Sequence, residues 1–325
     1  DITHLYIYAG VVGLISLSLP LGIQTIVGFI SSGQYSTSLI VLIFMIIIGI
    51  VLNGGINIMQ VWIVEIIQQR LFTKTAFDFA FRFPKLKIDA IKSYYPPELV
   101  NRFFDVLTLQ KGFAKILIDL LSASIQVLFG LLLLSFYHSY FIAFGVLVIS
   151  ILVLILRITG PKGLESSMYE SKYKYQLVHW LQEVARSINS FKRAGFTNLP
   201  VDKTDHMVSS YLKSRNKHFK ILIKQYISFV TFKTVITAGL LSLGCMLVIN
   251  KEINLGQFVA AEIIIILLMD AVEKIIKNLD TFYDVLTSLE KIGTITDLPL
   301  EVNKGVHPNK VVVNNEGFSI KMKDL

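Results

Sequence analysis

Apolar residues along this chain gather into six long runs, separated by connections of two very different lengths. The runs at 5–30, 39–63, 116–136, 140–158, 221–248 and 258–276 are each long enough to cross a bilayer core, which takes roughly 20 apolar residues. The connections at 31–37, 137–140 and 250–254 are short. Those after the second and fourth runs are long, and they keep a helical apolar period rather than the Gly/Pro punctuation of loops. Ile66, Ile67, Leu71, Ala76 and Phe77 carry the second helix on to about Phe83, where Pro84 ends it. From Leu39 that is about 67 Å of helix at 1.5 Å per residue, against a bilayer core of about 30 Å. Likewise Leu177, Trp180, Leu181, Val184 and Ile188 follow the spacing of an amphipathic helix, with Lys174, Glu183 and Arg186 at polar positions. The pattern predicts an all-α membrane protein of six long transmembrane helices, several of which extend beyond the bilayer as a stalk.

Breaks in the pattern locate further elements. Residues 93–102 read as an interruption followed by a short helix, with Pro97 at a first helical position and Glu98 favourable in the first turn. Pro20 predicts a kink in the first helix, which Ser16 can help to satisfy. Gly54-Gly55, with no Lys beside them, predict close helix packing or a bend. From residue 303 the apolar density falls. Gly305, Pro308 and Gly317 appear, with strand-like Val311-Val312-Val313 and Phe318-Ser319-Ile320-Lys321-Met322. A six-helix domain is therefore expected at 1–300 and the start of a soluble domain at 301–325. The chain reads as a piece trimmed at both ends.

Composition agrees: of 325 residues, 53% are hydrophobic and only 17% charged, and the mean hydropathy is +0.62, too apolar for a soluble protein of this size. The formal charge of +8 is distributed rather than patched. Residues 66–115 carry nine Lys/Arg, 157–224 thirteen and 274–325 seven, 29 of 31 in all. The other three connections hold only Lys251, and Lys233 lies in a span. The positive-inside rule then places both termini and the long extensions in the cytoplasm. That orientation explains the basic excess better than nucleic-acid binding does. The single cysteine, Cys245, sits in an apolar run and reads as packing. The six histidines are dispersed without metal-ligand spacing, so no metal site is expected. No Gly-x-x-x-x-Gly-Lys-Ser/Thr phosphate loop occurs, so this chain has no ATPase motif of its own.

Several local motifs resemble the membrane domain of type I ABC exporters. Glu98-Leu99-Val100-Asn101-Arg102, followed by Asp105, is similar to that family's first coupling helix, with Pro97 where the family has Gly. Leu181, Glu183, Ser187-Ile188 and Lys192 are similar to its second, with Ser187 in place of Gly. Leu255 to Ala260 resembles the entry to the family's sixth helix, and Ser288 to Ile292 with Asp297-Leu298-Pro299 resembles its exit. The resemblance covers nearly the whole chain. It implies the type I exporter fold with two coupling helices, built around Glu98, Leu99, Val100, Asn101, Arg102 and around Glu183, Arg186, Ser187, Ile188, Lys192. It also implies a nucleotide-binding ATPase domain, fused or separate, that would hold ATP and Mg and whose first strand would begin at 318–325. A second copy of the six-helix domain, most simply as a homodimer, and a bacterial inner or plasma membrane location follow from the same likeness.

Polar groups inside spans are costly and tend to face a cavity or a partner. Glu262 and Asp270 on the sixth helix are the leading candidates for a substrate pathway; the plainer alternatives are pairing with Lys233 or with polar residues of a neighbouring helix, or, for Asp270, a place already below the bilayer on the stalk. Gln24, Asn53 and Gln126 are uncharged candidates that either line the same cavity or bridge helices. The substrate itself is not legible. A motor-independent channel or secondary transporter, and a membrane scaffold or receptor, remain open beside the exporter reading.

Overall fold

The computed structural model describes residues 2–33, 37–92, 96–195 and 197–301, with the backbone alone at 2 and 96–98. The expected soluble segment from 302 on, including the strand at 318–325, and the break at 93–95 lie outside the described residues, as does the side chain of Glu98.

Among the described residues the chain is all helical, and six rods are long and apolar enough to cross a membrane. This is the architecture of a multi-pass membrane protein. Rod one is α1 (Ile2–Ser16) and α2 (Ser18–Ser31), and rod two is α3 (Thr37–Arg82). Two short helices, α4 (Ile88–Ile91) and α5 (Pro96–Asn101), lead into rod three, made of α6 (Phe104–Lys115), a π-helical turn at Ile116–Leu120 and α7 (Leu121–Ser135). Rod four is α8 (Ser139–Arg186), and short α9 (Ile188–Arg193) connects it to rod five, α10 (Leu199–Ile249). Rod six is α11 (Leu255–Lys277) and α12 (Leu279–Thr296). At 46, 48 and 51 residues, α3, α8 and α10 outrun a bilayer by about a factor of two.

Each break has a local cause. Pro20 lacks the N–H that would bond back one turn, and rod one divides at Leu17. There the Leu17 N–H turns to the Leu14 carbonyl at 3.2 Å, and the Ser16 hydroxyl donates to the Gly13 carbonyl at 2.7 Å. The Ser16 hydroxyl thus satisfies the Gly13 carbonyl that the turn at Leu17 leaves open, rather than the Ser16 carbonyl that Pro20 itself frees. Pro84 ends α3 in a single 3₁₀ turn at Phe83–Lys85. Rod six starts on a reciprocal cap: Asn254 Oδ1 accepts the Gln257 N–H at 2.8 Å, and Gln257 Oε1 accepts the Asn254 N–H at 2.9 Å.

Rod six is the axis of the bundle. Half of its apolar window is buried, whereas none of rod two's is. Phe141, Phe229, Leu240, Ile264, Ile265 and Leu268 form the core where rods three to six meet. Near the tips of α3, α6 and α12 a second core gathers Phe79, Leu99, Val106, Val285, Ile292 and Ile295. The exit of rod six is tied to the end of rod two: Arg82 donates to the Thr296 carbonyl at 2.7 Å, and Leu86 and Leu300 form an antiparallel bridge.

Small residues set the closest approaches. A Cβ at Gly163 would stand 2.4 Å from the Tyr283 ring. At Gly54 and Gly55, in contrast, a Cβ would meet nothing within 4 Å. The expectation that this pair permits close packing is not met within the chain, because it lies on the least buried rod.

Gly163→Ala is expected to lower the thermal stability of the purified protein, because overpacking against a buried ring costs about 1–3 kcal/mol. Gly10→Ala, where a Cβ meets nothing within 4 Å, should be neutral or gain up to about 1 kcal/mol from helix propensity. Thermal denaturation of both variants in one detergent checks the pair, and equal shifts would contradict the packing.

Candidate functional site

Two of the five pathway candidates come together. Asn53 of α3 and Gln126 of α7 line a cavity of about 300 Å³ with Ser16, Ser18, Asn57, Ser122 and Lys274. The break in rod one opens this space, since Ser16 and Ser18 flank it. Asn57 donates to Asn53 Oδ1 at 3.1 Å, and Gln126 donates to the Leu267 carbonyl at 3.2 Å. Gln126 thus also bridges rods three and six, the plainer role expected of it, whereas the Asn53–Asn57 bond stays within α3. Val12, Ile15, Leu19, Ile50 and Leu267 supply the apolar part of the lining, and Lys274 is the one formal charge among the lining residues.

Gln24, Glu262 and Asp270 lie elsewhere. Gln24 stands at the opposite end of rod one, beside a second cavity of about 580 Å³, and its Oε1 accepts from the Tyr137 hydroxyl at 2.7 Å. A Cβ at Gly256 would meet the Gln24 carbonyl oxygen at 2.8 Å, so rods one and six touch backbone to backbone there. Asp270 lies 3.9 Å from Lys233, and Glu273 lies 3.5 Å from Lys233 and 2.6 Å from Lys277. These charges neutralise one another at the edge of the apolar zone, as the Lys233 alternative anticipated for Asp270. Glu262 has one carboxyl oxygen shielded from solvent with no hydrogen-bond partner among the described residues.

The two tips differ in how they are held. In α5, Leu99 is 1% exposed and sits in the second core, whereas Val100 is 53% exposed. Leu99 anchors this short helix and Val100 is presented. Asn101 is half-buried, and Arg102 is buried. At the other tip, α8 ends at Ser187, whose N–H bonds the Glu183 carbonyl at 2.9 Å while Glu183 and Arg186 pair at 3.0 Å. Ser187 adopts φ −94°, open to any residue, and the left-handed conformation falls instead on Gly195 at φ +73°. Serine therefore meets no backbone strain at this position. Ile188 and Lys192 are exposed, together with Leu181, Leu199 and Val201. Trp180 donates to Thr204 Oγ1 at 3.1 Å, and Lys203 caps its ring at 4.0 Å, clamping the α8–α10 hairpin just above the tip.

Between the apolar spans and the tips, rods four, five and six share a buried polar seam that one-dimensional reading missed. Gln225 donates to the Tyr283 oxygen at 2.7 Å and to Thr159 Oγ1 at 3.1 Å. His218, 1% exposed, is 2.8 Å from the Ser166 hydroxyl through Nδ1 and 3.0 Å from Asp280 through Nε2. An ionised carboxylate only accepts, so Nε2 carries the proton of that bond. Ser167 meets Thr287 at 3.2 Å, and Arg215 meets Glu170 at 3.1 Å. A signal existed: Thr159, Gly163, Ser166 and Glu170 share one face of α8 at helical spacing, and His218 lies two turns from Gln225 on α10.

A Ser–His–Asp sequence of contacts invites a hydrolytic reading, and the geometry excludes it. Ser166 is 3% exposed in the interior of α8. The backbone N–H groups around it are committed to the helix, so no oxyanion donors face it. Among the described residues, no three His, Cys, Asp or Glu side chains gather as metal ligands would.

Electrostatics along the seam follow from burial and bonding. The His218 hydrogen bond holds the Asp280 carboxyl below its ordinary value. Burial pushes Asp284 up, with the charge of Asp280 adding to the effect. Burial also raises Asp105, against the opposing hydrogen bond from Tyr175. The depressed carboxylate stabilises the fold above the ordinary carboxylate range and loses that contribution as pH falls through its lowered value, below about pH 4. Raised carboxyls run the other way, favouring the fold more once protonated.

No family model matches the chain, and no curated protein matches it.

Asp280→Ala should destabilise the protein by about 1–3 kcal/mol at neutral pH, because it leaves a buried imidazole N–H without an acceptor. Asp280→Asn keeps an acceptor and should cost less. The difference between wild type and the Ala variant should narrow as the pH is lowered below about 4. Thermal scans across pH test this, and a gap that widens in acid would contradict the assigned hydrogen bond.

Proposed function

We propose that this chain is the membrane-spanning half of an ATP-driven exporter with the type I ABC architecture. The observation that supports it best is the pairing of rods that outrun the bilayer with two short helices, α5 and α9, at their far ends. A channel or carrier needs helices only as long as the membrane is thick. Helices that continue well past it and end in exposed apolar side chains, Val100 at one tip and Leu181, Ile188, Leu199 and Val201 at the other, fit levers with something to dock on.

In this reading α5 and α9 are the coupling helices, and each meets a nucleotide-binding domain that supplies ATP and Mg chemistry. Val100, Ile188 and Lys192 make the contact. Leu99, Arg102 and the Glu183–Arg186 pair hold the two short helices in position. The cavity lined by Asn53, Gln126 and Lys274 belongs to the translocation pathway, which a second copy of the chain completes on the little-buried side of rod two. The rods' long extensions and both ends of the chain are cytoplasmic, as the basic residues favour. Gln24, Tyr137 and Gly256 then close the external end.

The docking role is tested with the chain joined to its nucleotide-binding domain in proteoliposomes. Val100→Asp and Ile188→Asp should leave ATP binding intact and reduce ATP-dependent transport by about tenfold or more, the scale of losing a docking hot spot. Undiminished transport in both would overturn it. Orientation is tested separately in a Cys245→Ser background. Ser32→Cys should react with a membrane-impermeant maleimide on intact cells, and Lys192→Cys only after permeabilisation. The reverse pattern would invert the topology.

A further inference from the structure

Close to where rods four and five leave their apolar spans, a cavity of about 350 Å³ opens between α8 and α10. Ser166, Tyr169 and Tyr173 line it from α8, at spacings of three and four residues that put them on one face. Lys213, Ser214 and Lys217 line it from α10. Ser166, 3% exposed, forms the floor, while Tyr169 and both lysines are exposed at the rim, with Lys217 5.9 Å from the centre of the Tyr169 ring. The space is several times the roughly 30 Å³ share of one water.

The charge on this face belongs to the helix as a whole and not to one unpaired group. From His206 to its end at Ile249, α10 has no Asp or Glu. Lys213, Lys217, Lys220 and Lys224 follow one another at spacings of four, three and four residues, which puts all four on one side of α10, and all four are exposed. Lys162 of α8 is exposed one turn before Ser166. Of the acids nearest along α8, Glu170 pairs with Arg215 at 3.1 Å and lines the neighbouring seam cavity, and Glu165 stands outside the lining. A basic stripe therefore runs from the pocket to the membrane.

Depth selects the occupant. Lys224 falls inside the apolar run that starts at 221, Lys217 lies four residues before that run and Lys213 eight before it, and Ser166 lies eight after the run that ends at 158. At 1.5 Å per residue, Lys217 stands about 6 Å and Lys213 and Ser166 about 12 Å beyond the hydrocarbon core. The headgroup layer is about 5–8 Å thick on each side, and the long stem of a lysine lets its ammonium lean into it. Each Lys at this level strengthens attraction to an anionic leaflet about fivefold. The lysine and tyrosine side chains bring ammonium and hydroxyl donors to one space, and phosphate oxygens accept from both.

We propose that this cavity binds the phosphate headgroup of an anionic phospholipid from the adjoining leaflet, which pins the root of the α8–α10 hairpin to the membrane surface. The site stands apart from the exporter reading, since holding a lipid needs neither ATP nor transport.

Native mass spectrometry of the chain, released from nanodiscs of equal parts phosphatidylglycerol and phosphatidylcholine, tests it. One phosphatidylglycerol per chain should be retained in preference to phosphatidylcholine. Lys213→Gln/Lys217→Gln should lower that retention by about tenfold or more, through loss of two charges at headgroup level, and Lys213→Arg/Lys217→Arg should keep it. A control with the same change in net charge, Lys74→Gln/Lys87→Gln at exposed positions outside the hairpin, should retain lipid as wild type does. Equal retention of the two lipids by the wild type, or equal loss in both glutamine double variants, would overturn the site. Excess glycerol phosphate, which offers phosphate without acyl chains, should leave the lipid bound. If it replaces the lipid, the ligand is a free phosphate and the lipid proposal fails. None of these results depends on transport or on the labelling pattern, so failure here and failure of the exporter reading are distinguishable.

Discussion

The structure depends on the buried polar seam where rods four, five and six meet beyond their apolar spans. Inside a bilayer, helices satisfy their backbones internally and may pack through side chains of any apolar shape. Once the same helices leave the membrane they stand in water, where long isolated rods have little reason to stay together. Gln225, Tyr283, Thr159, His218, Ser166 and Asp280 supply that reason through bonds whose geometry admits one register. An unmatched partner in such a network is costly, so a slip of one rod along another would strand several buried groups at once. Gly163 belongs to the same device, because only a residue without a side chain lets the Tyr283 ring reach Gln225.

The division between what was legible in the sequence and what was not follows from the range of the interactions. The six spans, the outrunning helices, the stop at Pro84 and the kink at Pro20 were all readable, since each is set by residues within one or two turns. At that kink the Ser16 hydroxyl bonds the carbonyl three residues before it. The seam was not readable in the same way. His218 and Asp280 are 62 residues apart and Gln225 and Thr159 are 66 apart, and only the packing of three rods joins them. What the sequence did carry was the helical spacing of small and hydroxyl residues on α8, a stripe too polar for a span and too small for a solvated face. Gly54-Gly55 illustrate the converse, a local packing signal that no partner within the chain answers.

The candidate pathway residues divide along the same line. Asn53 and Gln126 share a cavity because rods two and three flank the break in rod one, an outcome of tertiary geometry. Asp270 and Lys233 meet across rods five and six because an uncompensated charge at that depth is expensive, and the cheapest compensation is the nearest opposite charge. The helix that each of the five candidates occupies was visible in the sequence. Which neighbour each would face was not.

The breaks in the rods also explain how long helices can bend without losing the seam. Rod three carries a π-helical turn at Ile116–Leu120, and rod six breaks at Asn278. Both lie at the boundary between the apolar spans and the extensions, and Asn278 donates to Asp119 across them at 3.4 Å. A π turn and a helix break are places where backbone bonding is already loosened, so bending concentrates there. Below that level the seam and the second core hold rods three to six as one body. Above it the cavity between rods one, two and three has room to change shape. Bending of the bundle therefore concentrates at that boundary, next to the cavity that Asn53 and Gln126 line.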